Sequence, residues 1–276
     1  MMPPPTKNTS KGSPDPRDAS LMTSQRRGQI IAQVREQGSV RVTDLAKRFG
    51  VSEVTIRTDL DHLEREGKLV RDRGGALPVV MTRTVTSLPG LDHRMNLHVE
   101  AKRRIAAAAA KRVHAGQSLI MDAGTTVIEM IPHLATIEGL TIITNALNVA
   151  LAATAHTSAN VILLGGVVGR DSGSTLGSRT EEMLKELLVD HLFLGAQAMD
   201  LQHGLTDTNM EIAQIKRAMI RSARRTTLLS DSQKWATSGL VRVAPLTAAQ
   251  ALITDHGLPG PARQELESLG LEVEVV

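Results

Sequence analysis

The spacing of apolar residues over positions 42–60 predicts two short helices joined by a tight turn. Leu45 and Phe49 are four residues apart and belong to one apolar face of the first helix. Gly50 follows at the point where a helix needs a residue that tolerates a left-handed conformation in order to end. Ser52 then stands where the second helix needs an N-cap, because its hydroxyl can accept a hydrogen bond from a free backbone N–H.

The second helix has one apolar side and one polar side. Ile56, Leu60 and Leu63 recur at helical spacing and predict a buried face. The opposite side carries polar residues, which are Glu53, Thr55, Arg57, Thr58 and Asp61. Two helices joined in this way, the second with a polar outer face, fit the major groove of DNA. A helical hairpin in an ordinary protein core has the same pattern, so the flanking residues decide between the two interpretations.

The flanking residues favour a DNA-binding domain. Upstream, an amphipathic stretch with Ile30 and Val34 predicts a further helix that ends near Gly38. Downstream, residues 68–71 and 76–80 predict two strands, and the turn between them, rich in Gly and Arg, predicts a β-hairpin. A helix, a helix-turn-helix and a basic hairpin together describe a winged helix, which we place at residues 23–80.

These motifs resemble the DNA-binding domain of DeoR-type bacterial transcription regulators. In that family the recognition helix begins Val-Ser-x-x-Thr-Ile-Arg, followed by a basic residue, Asp and Leu, and the wing ends Arg-x-His-Gly-Gly-Ala. The matching positions here are Val51, Ser52, Thr55, Ile56, Arg57, Thr58, Asp59, Leu60, Arg71, Arg73, Gly74, Gly75 and Ala76. The chain departs from the family pattern at Thr58, which replaces a second Arg, and at Arg73, which replaces the wing His.

The resemblance implies that this domain binds double-stranded DNA. Residues of the recognition helix are expected to approach bases or phosphates, and they are Ser52, Glu53, Thr55, Arg57 and Thr58. Arg71 and Arg73 are expected to contact the DNA backbone through the wing. The distribution of charge agrees with this expectation. Residues 23–83 carry 12 Lys and Arg against 8 Asp and Glu, whereas the whole chain has a net charge of only +3.

Composition narrows the class of protein further. The chain has no cysteine, so disulfides, thiolate metal sites and cysteine nucleophiles are excluded. No run of about 18 apolar residues occurs, so no transmembrane helix is expected. Residues 1–22 lack the apolar core of a signal peptide and are predicted to be a disordered tail. These features predict a cytoplasmic protein, and the scattered histidines predict neither a metal site nor a cofactor.

Beyond residue 100, short apolar runs alternate with segments of helix length. Seven runs predict strands, at residues 118–121, 141–144, 161–164, 191–194, 227–229, 251–253 and 271–276. This alternation is typical of a mainly parallel sheet that is covered by helices on both faces. We therefore place an α/β domain at residues 100–276 and a linker at residues 81–99.

Polar turns follow several of these predicted strands, at residues 122–126, 144–145, 165–166, 195–196 and 231–234. The turn Asp122-Ala-Gly-Thr-Thr126 places two hydroxyls and backbone N–H groups at the start of a predicted helix, which suits a phosphate. Lys234 offers a counter-charge to the same anion. Each turn alone is compatible with an ordinary connection from strand to helix. Because ligands bind beyond the carboxyl ends of parallel strands, five such turns favour a shared pocket.

These segments also resemble, in order, the effector domain of DeoR-type regulators. That resemblance implies a fold akin to sugar-phosphate isomerases of the ribose-5-phosphate type, with a phosphorylated sugar as effector. The expected effector-binding residues are Asp122, Gly124, Thr125, Thr126, Asn145, Gly165, Gly166, Glu211 and Lys234. The resemblance further implies a repressor of a sugar-catabolic operon. A homodimer or higher homo-oligomer is expected, because a single winged helix contacts few base pairs.

The kinship with isomerases leaves an enzyme as the alternative: a sugar-phosphate isomerase with an appended DNA-binding module. Those isomerases carry an Asp-Gly-Ala-Asp segment whose carboxylates lie in the active site. The aligned residues 194–197 read Leu-Gly-Ala-Gln here, so both carboxylates are absent. Proton transfer between adjacent carbons needs a positioned base, and neither Leu nor Gln can act as one. The sequence therefore favours a non-catalytic sensor.

Overall fold

The computed structural model describes residues 16–66, 68–72, 74–78, 83–87 and 89–276. The chain divides into two compact units, Met1–Val80 and Met81–Val276. Within the described ranges, no helix combines the length and the apolar character that crossing a membrane requires.

The first unit contains three helices and a three-stranded sheet. Its elements in chain order are α1 (Pro16–Gln37), β1 (Val40–Arg41), α2 (Val42–Phe49), α3 (Glu53–Arg65), β2 (Leu69–Asp72) and β3 (Gly75–Pro78). Gly50 has a φ of 63°, so it ends α2 in the left-handed conformation predicted from the sequence. The apolar face predicted for both helices is confirmed, because Leu45, Ile56 and Leu60 are completely buried. Together with Ile30 and other residues they form the core of this unit.

The predicted hairpin forms, and it belongs to a slightly larger sheet. β2 pairs with β3 in antiparallel fashion, and β1 pairs with the other side of β3. The short strand β1 was not predicted, because two residues carry no periodicity. Arg73 at the hairpin turn, and the last two residues of the predicted strand 76–80, lie outside the described residues. A winged helix is nevertheless the fold of this unit.

The second unit alternates strands and helices, as predicted. Its strands are β4 (Arg83–Thr84), β5 (Ser118–Met121), β6 (Thr141–Thr144), β7 (Asn160–Leu163), β8 (Val167–Gly169), β9 (Ser174–Leu176), β10 (Val189–Gly195), β11 (Ala198–Asp200), β12 (Gly204–Asp207), β13 (Ala223–Leu229), β14 (Thr237–Ser238), β15 (Val241–Ala244), β16 (Ala251–Thr254) and β17 (Glu272–Val275). Its α-helices are α4 (Leu91–Asn96), α5 (Val99–Ala110), α6 (Ile131–Leu134), α7 (Leu147–His156), α8 (Ser178–Lys185), α9 (Met210–Ser222) and α10 (Gly260–Ser268).

A seven-stranded parallel sheet forms the centre of this unit. Its strand order is β17-β16-β13-β10-β5-β6-β7, and each of the seven predicted apolar runs supplies one strand. Apolar clusters cover both faces, because alternate residues of the central strands point to opposite sides. Leu192 and Leu194 belong to one cluster, and Phe193 belongs to the other. The predicted fold class is therefore confirmed.

Two predicted boundaries differ from the structure. Residues 81–99 were predicted to be a linker, but β4 pairs with β14 and α4 precedes α5 within the second unit. This segment has no long apolar run, so periodicity could not reveal it. Residues 1–22 were predicted to be a tail, whereas α1 already begins at Pro16. Residues 1–15 lie outside the described part of the chain.

Candidate functional site

The polar side of α3 presents the residues that were predicted to read DNA. Ser52 caps the helix, since its Oγ accepts a hydrogen bond from the backbone N–H of Thr55 at 3.1 Å. The hydroxyls of Ser52 and Thr55 also share a hydrogen bond of 2.9 Å. Both hydroxyls are thus engaged in starting the helix. Glu53, Arg57 and Thr58 are exposed.

Arg57 is an exposed cation on the polar side of α3. More than half of its side chain is exposed, and its Nη2 lies 3.0 Å from Glu53 Oε2. An exposed pair of this kind at positions i and i+4 contributes only about 0.3–0.5 kcal/mol, so DNA can displace it at little cost. Thr58 donates its hydroxyl hydrogen to the carbonyl of Val54 at 3.0 Å, which leaves its methyl group and oxygen lone pair for contact.

Arg71, which was predicted to contact the DNA backbone, also makes polar contacts with α3. Its Nη1 donates to the carbonyl oxygen of Arg57 at 3.1 Å and forms an ion pair with Asp61. Its backbone N–H donates to Glu64 Oε1 at 2.8 Å. These contacts fasten strand β2 to α3, so Arg71 orients the recognition helix in addition to any contact it makes with DNA. Arg73, the second predicted wing contact, lies outside the described residues.

Asp59 has a structural role that the sequence pattern did not reveal. Its side chain is almost completely buried, and its two oxygens accept from Arg26 Nε at 2.6 Å and from Arg27 Nε at 2.8 Å. A buried carboxylate needs partners of this kind, because an unpaired charge is costly away from water. Asp59 therefore holds α1 against the recognition helix.

The second unit contains a cavity of about 330 Å³ at the carboxyl ends of the central strands. The predicted residues that line it are Asp122, Gly124, Thr125, Thr126, Asn145 and Lys234. Other polar residues in the lining include Arg83, Arg94, Lys102, Ser172, Ser174, Gln197, Asp207, Lys216 and Asp231. Its size suits a small metabolite. In the described part of the chain, no three His, Asp or Glu side chains are placed to share a metal ion.

A buried network of charges forms the floor of the cavity. Lys216 Nζ lies 3.0 Å from Asp207 Oδ2 and donates to the carbonyl of Gly195 at 3.1 Å. Burial disfavours the charge of Lys216, but attraction from Asp207 and Asp122 outweighs it and raises the pKa of Lys216. Burial raises the pKa of Asp122 above its ordinary value, although Lys216 and the backbone N–H of Gly195 oppose that change.

Besides Lys216, four cations border the cavity, and they are Arg83, Arg94, Lys102 and Lys234. Arg94, Lys102 and Lys234 form no ion pair with any described residue, in contrast to Lys216. Lys102 is almost completely buried, and burial lowers its pKa, with Lys234 and Arg94 adding to that effect and Asp231 opposing it. Burial also lowers the pKa of Arg94. Positive charge therefore accumulates here beyond what the protein neutralises.

The turn predicted to hold a phosphate approaches a neighbouring strand end closely. A Cβ atom on Gly195 would lie 3.1 Å from Asp122 Oδ2 and 3.2 Å from the Cα of Gly124, which explains why both positions are glycine. The helix predicted to follow Gly124 is short, however. It consists of the 3₁₀ turn Ile128–Met130 and the four-residue helix α6. If a phosphate binds at this turn, side chains and local N–H groups would therefore contribute more to its binding than a helix dipole would.

Gly165, Gly166 and Glu211 do not line the cavity, in contrast to the prediction. A Cβ atom on Gly166, whose φ is 150°, would lie 2.4 Å from Thr180 Oγ1 and 2.6 Å from the carbonyl oxygen of Leu176. This close packing accounts for that glycine. Glu211 is exposed in the first turn of α9, where Asn209 caps the helix. The prediction for these three residues came from the resemblance to the family, and none of them belongs to the lining of the cavity.

The sequence interpretation assigned no role to several residues that the structure brings to the cavity. Among them are Arg94 on α4, Lys102 on α5 and Lys216 on α9. The sequence shows that these residues are charged, but it does not show that they line one cavity, because that depends on how α4, α5 and α9 pack. Ser172 lies in the connection between β8 and β9, and Ser174 is the first residue of the short strand β9. Neither segment carries a periodic signal in the sequence.

A winged helix, joined in one chain to an α/β unit with a charged cavity, defines the class of ligand-responsive transcription regulators. Residues 26–80 match the DeoR-like helix-turn-helix domain. Residues 97–256 match the DeoR C terminal sensor domain. The chain therefore belongs to the DeoR family. It is a DNA-binding transcriptional regulator and not an enzyme.

Curated relatives align over nearly the whole chain. A protein of Escherichia coli O157:H7 that is named for repression of the aga operon is 36% identical, over 92% of this chain and 94% of its own length. The HTH-type transcriptional regulator GlpR of Haloferax volcanii is 32% identical, over 92% of this chain and 98% of its own. The glycerol-3-phosphate regulon repressor of Escherichia coli K12 is 29% identical, over 92% and 100% respectively.

Solved structures resemble the chain more distantly. The sorbitol operon regulator SorC from Klebsiella pneumoniae has a TM-score of 0.42 and 12% identity, covering 90% of this chain and 99% of its own. The ribose 5-phosphate isomerase from Plasmodium falciparum has a TM-score of 0.37 and 15% identity, covering 50% and 54%.

Proposed function

We propose that this regulator represses a sugar-catabolic operon and that a phosphorylated sugar in the cavity releases it from DNA. The charge of the cavity carries this proposal. Five Lys and Arg side chains and three Asp side chains line it, an excess of two positive charges when all are ionised. A phosphate monoester carries about −1.5 to −2 at pH 7, so it balances this excess. An unphosphorylated sugar leaves it uncompensated.

The two ends of such a ligand have different partners. Gly124, Thr125 and Thr126 offer N–H groups and hydroxyls to the phosphate, and Lys234 supplies the counter-charge. Asn145 would bind the sugar end of the ligand. Its Nδ2 donates to the carbonyl of Thr175 at 2.9 Å, while its buried Oδ1 has no hydrogen-bond partner among the described residues. A sugar hydroxyl that donates to this oxygen would satisfy it. Asp122 lies in the same lining and would accept from a second hydroxyl.

The names of the relatives support this proposal. They include repressors of the aga operon and of the glycerol-3-phosphate regulon. On the DNA side, Ser52, Glu53, Thr55, Arg57 and Thr58 would approach the operator, with Arg71 and Arg73 at its backbone. We propose a homodimer or higher homo-oligomer, because two recognition helices double the number of contacted base pairs. We also propose that it acts in the cytoplasm.

Substitution of Lys234 tests the proposed pocket. A lost charge-assisted contact costs about 1.5–3 kcal/mol, so Lys234→Ala should weaken binding of the phosphorylated sugar by about one to two decades. DNA binding should remain, which gives a repressor that the sugar no longer releases. Calorimetry on the full chain, with a panel of hexose, pentose and amino-sugar monophosphates, measures this.

The exposed Lys111, substituted in the same way, is the matched control. It should retain the affinity of the parent chain. The pocket assignment is wrong if Lys234→Ala binds the sugar phosphate as tightly as the parent does, or if the unphosphorylated sugar binds equally well.

A further inference from the structure

Val54 is an apolar residue on the polar side of the recognition helix α3. Its side chain is 69% exposed, and the exposed residues around it, Glu53, Arg57 and Thr58, are all polar. Every residue of α3 is described, and no other large apolar side chain of this helix is exposed. Val54 therefore interrupts the polar surface at a single position.

Val54 also lies opposite the buried face of α3. The buried residues of the helix are Ile56, Asp59, Leu60 and Leu63. Because each residue of an α-helix advances by about 100°, Val54 lies about 170° around the helix axis from the centre of that face. Its side chain therefore points away from the core of the unit. A recognition helix presents this outward side to the base edges, and its N-terminal residues contact them.

The fold does not require a valine at this position. Val54 does not belong to the apolar core of the unit, which Ile56 and Leu60 form with residues of the other elements. Valine is also a weaker helix former than Glu, Lys or Arg, because its branched Cβ restricts χ1 in a helix. A polar residue would serve the fold at least as well, so a contact outside the chain accounts better for this valine.

Thr58 extends the apolar surface by one turn of the helix. Its hydroxyl donates to the carbonyl of Val54 at 3.0 Å, so the hydroxyl hydrogen is used within the helix. The side chains of Val54 and Thr58 are neighbours, because residues four apart lie on the same side of a helix. Their methyl groups adjoin the exposed ion pair between Glu53 and Arg57.

We propose that Val54 reads the C5-methyl group of a thymine in the major groove. This methyl group is the apolar feature that a T·A pair shows in that groove, and apolar side chains recognise it by contact. The proposal rests on the proposed contact between α3 and the operator, and it adds a specificity-determining residue to that contact. Arg57 offers hydrogen bonds to a base or a phosphate, whereas Val54 selects a methyl group by removing it from water.

Replacement of thymine by uracil in the DNA tests the proposal, because the two bases differ only in this methyl group. A site that the parent chain selects from a random library is resynthesised with one deoxyuridine at each thymine in turn, and fluorescence anisotropy gives the affinity. At one or more thymines, the replacement should weaken binding of the parent by about fourfold, the effect of one buried methyl group.

Val54→Ala should remove this dependence on the methyl group. The variant should bind the thymine and the uracil forms of that position alike, so the two changes are not additive. Val167→Ala is the matched control, because Val167 is 77% exposed on β8 of the sensor unit and loses the same two methyl groups. It should keep the difference between thymine and uracil that the parent shows.

A difference between thymine and uracil that persists in Val54→Ala would overturn the proposal. A parent chain that tolerates uracil at every thymine, or that selects a site without thymine, would also overturn it. In these cases the contact between α3 and the operator still stands if Arg57→Ala weakens binding. Parent affinity in both Val54→Ala and Arg57→Ala would contradict that contact as well.

Discussion

Lys216 and Lys102 are both buried lysines beside one cavity, but their surroundings differ. Lys216 has Asp207 at 3.0 Å and the carbonyl of Gly195 at 3.1 Å, so its charge is satisfied without a ligand. Lys102 has only the carbonyl of Arg94 as an acceptor among the described residues. The first lysine therefore stabilises the fold of the strand ends, whereas the second lacks a carboxylate at hydrogen-bond distance among the described residues.

At the DNA surface, we expect Arg57→Ala to weaken binding to a specific site by about 1–3 kcal/mol if Arg57 contacts a base edge through both terminal nitrogens. Its ion pair with Glu53 is exposed, so the substitution should leave the free energy of unfolding nearly unchanged. Fluorescence anisotropy with a DNA site selected by the chain from a random library measures the affinity.

Arg263→Ala is a matched control, because Arg263 forms an equally exposed i, i+4 pair with Glu267 on α10 of the sensor unit. It removes the same charge and should leave DNA affinity at the parent value. Equal affinities for both variants and the parent would remove Arg57 from the recognition surface.

His191 makes the stability of the sensor unit depend on pH. Burial, followed by repulsion from Arg225, lowers the pKa of His191 to about 4, from an ordinary value of 6.5. Between these values the unfolded chain binds a proton that the folded chain does not, so stability falls as the pH falls from 6.5 toward 4. The contribution of His191 is complete above pH 6.5, and about 2 kcal/mol of it is lost by pH 5.

We therefore expect His191→Gln to lose less stability than the parent between pH 7.5 and pH 5. Glutamine can keep a hydrogen bond to Thr227, which lies 2.8 Å from His191 Nε2, but it does not titrate. Urea unfolding at both pH values provides the comparison. His156→Gln, at an exposed position, should retain the parent pH dependence. If His191→Gln also retains it, another group causes the acid sensitivity.

At the scale of elements, the recognition helix is held from two sides. Asp59 joins it to α1 through two arginines, and Arg71 joins it to the wing. The orientation of α3, on which groove binding depends, is thus set by charged pairs as well as by the apolar core.

Loss of the buried partner should be costly. Asp59→Ala leaves Arg26 and Arg27 without their carboxylate, and breaking a buried pair from one side costs about 3–5 kcal/mol. Asp61→Ala on the same helix removes an exposed carboxylate and should cost at most about 1 kcal/mol. Hydrogen exchange of residues 26–78 under native conditions measures both. A cost below about 1 kcal/mol for Asp59→Ala would show that α1 does not depend on this pair.

The sequence predicted the elements that carry strong periodicity. Each strand of the central sheet appears as an apolar run, and the helix-turn-helix appears through its spacing and Gly50. Helix α4 could not be predicted in this way, since none of its residues is buried. For the same reason, the sequence predicted the polar turn at Gly124 but not that Arg94 lines the same cavity.

For the molecule as a whole, we propose that more than one copy of the chain binds DNA at a time. A single winged helix contacts few base pairs, so two copies on half-sites about one helical turn apart, or a multiple of it, give the needed specificity. Sedimentation of the full chain at the concentrations used for DNA binding should show a dimer or larger assembly. A monomer that binds its selected site with full affinity would contradict this expectation.

A titration measures whether binding of a sugar phosphate in the cavity is coupled to binding of DNA. The affinity of the full chain for its selected DNA site is measured with and without a sugar monophosphate that calorimetry has shown to bind. We expect the bound sugar phosphate to weaken DNA binding by about 5- to 150-fold, the usual range of allosteric coupling, and the unphosphorylated sugar to have no effect. An unchanged DNA affinity with the cavity saturated would contradict the account.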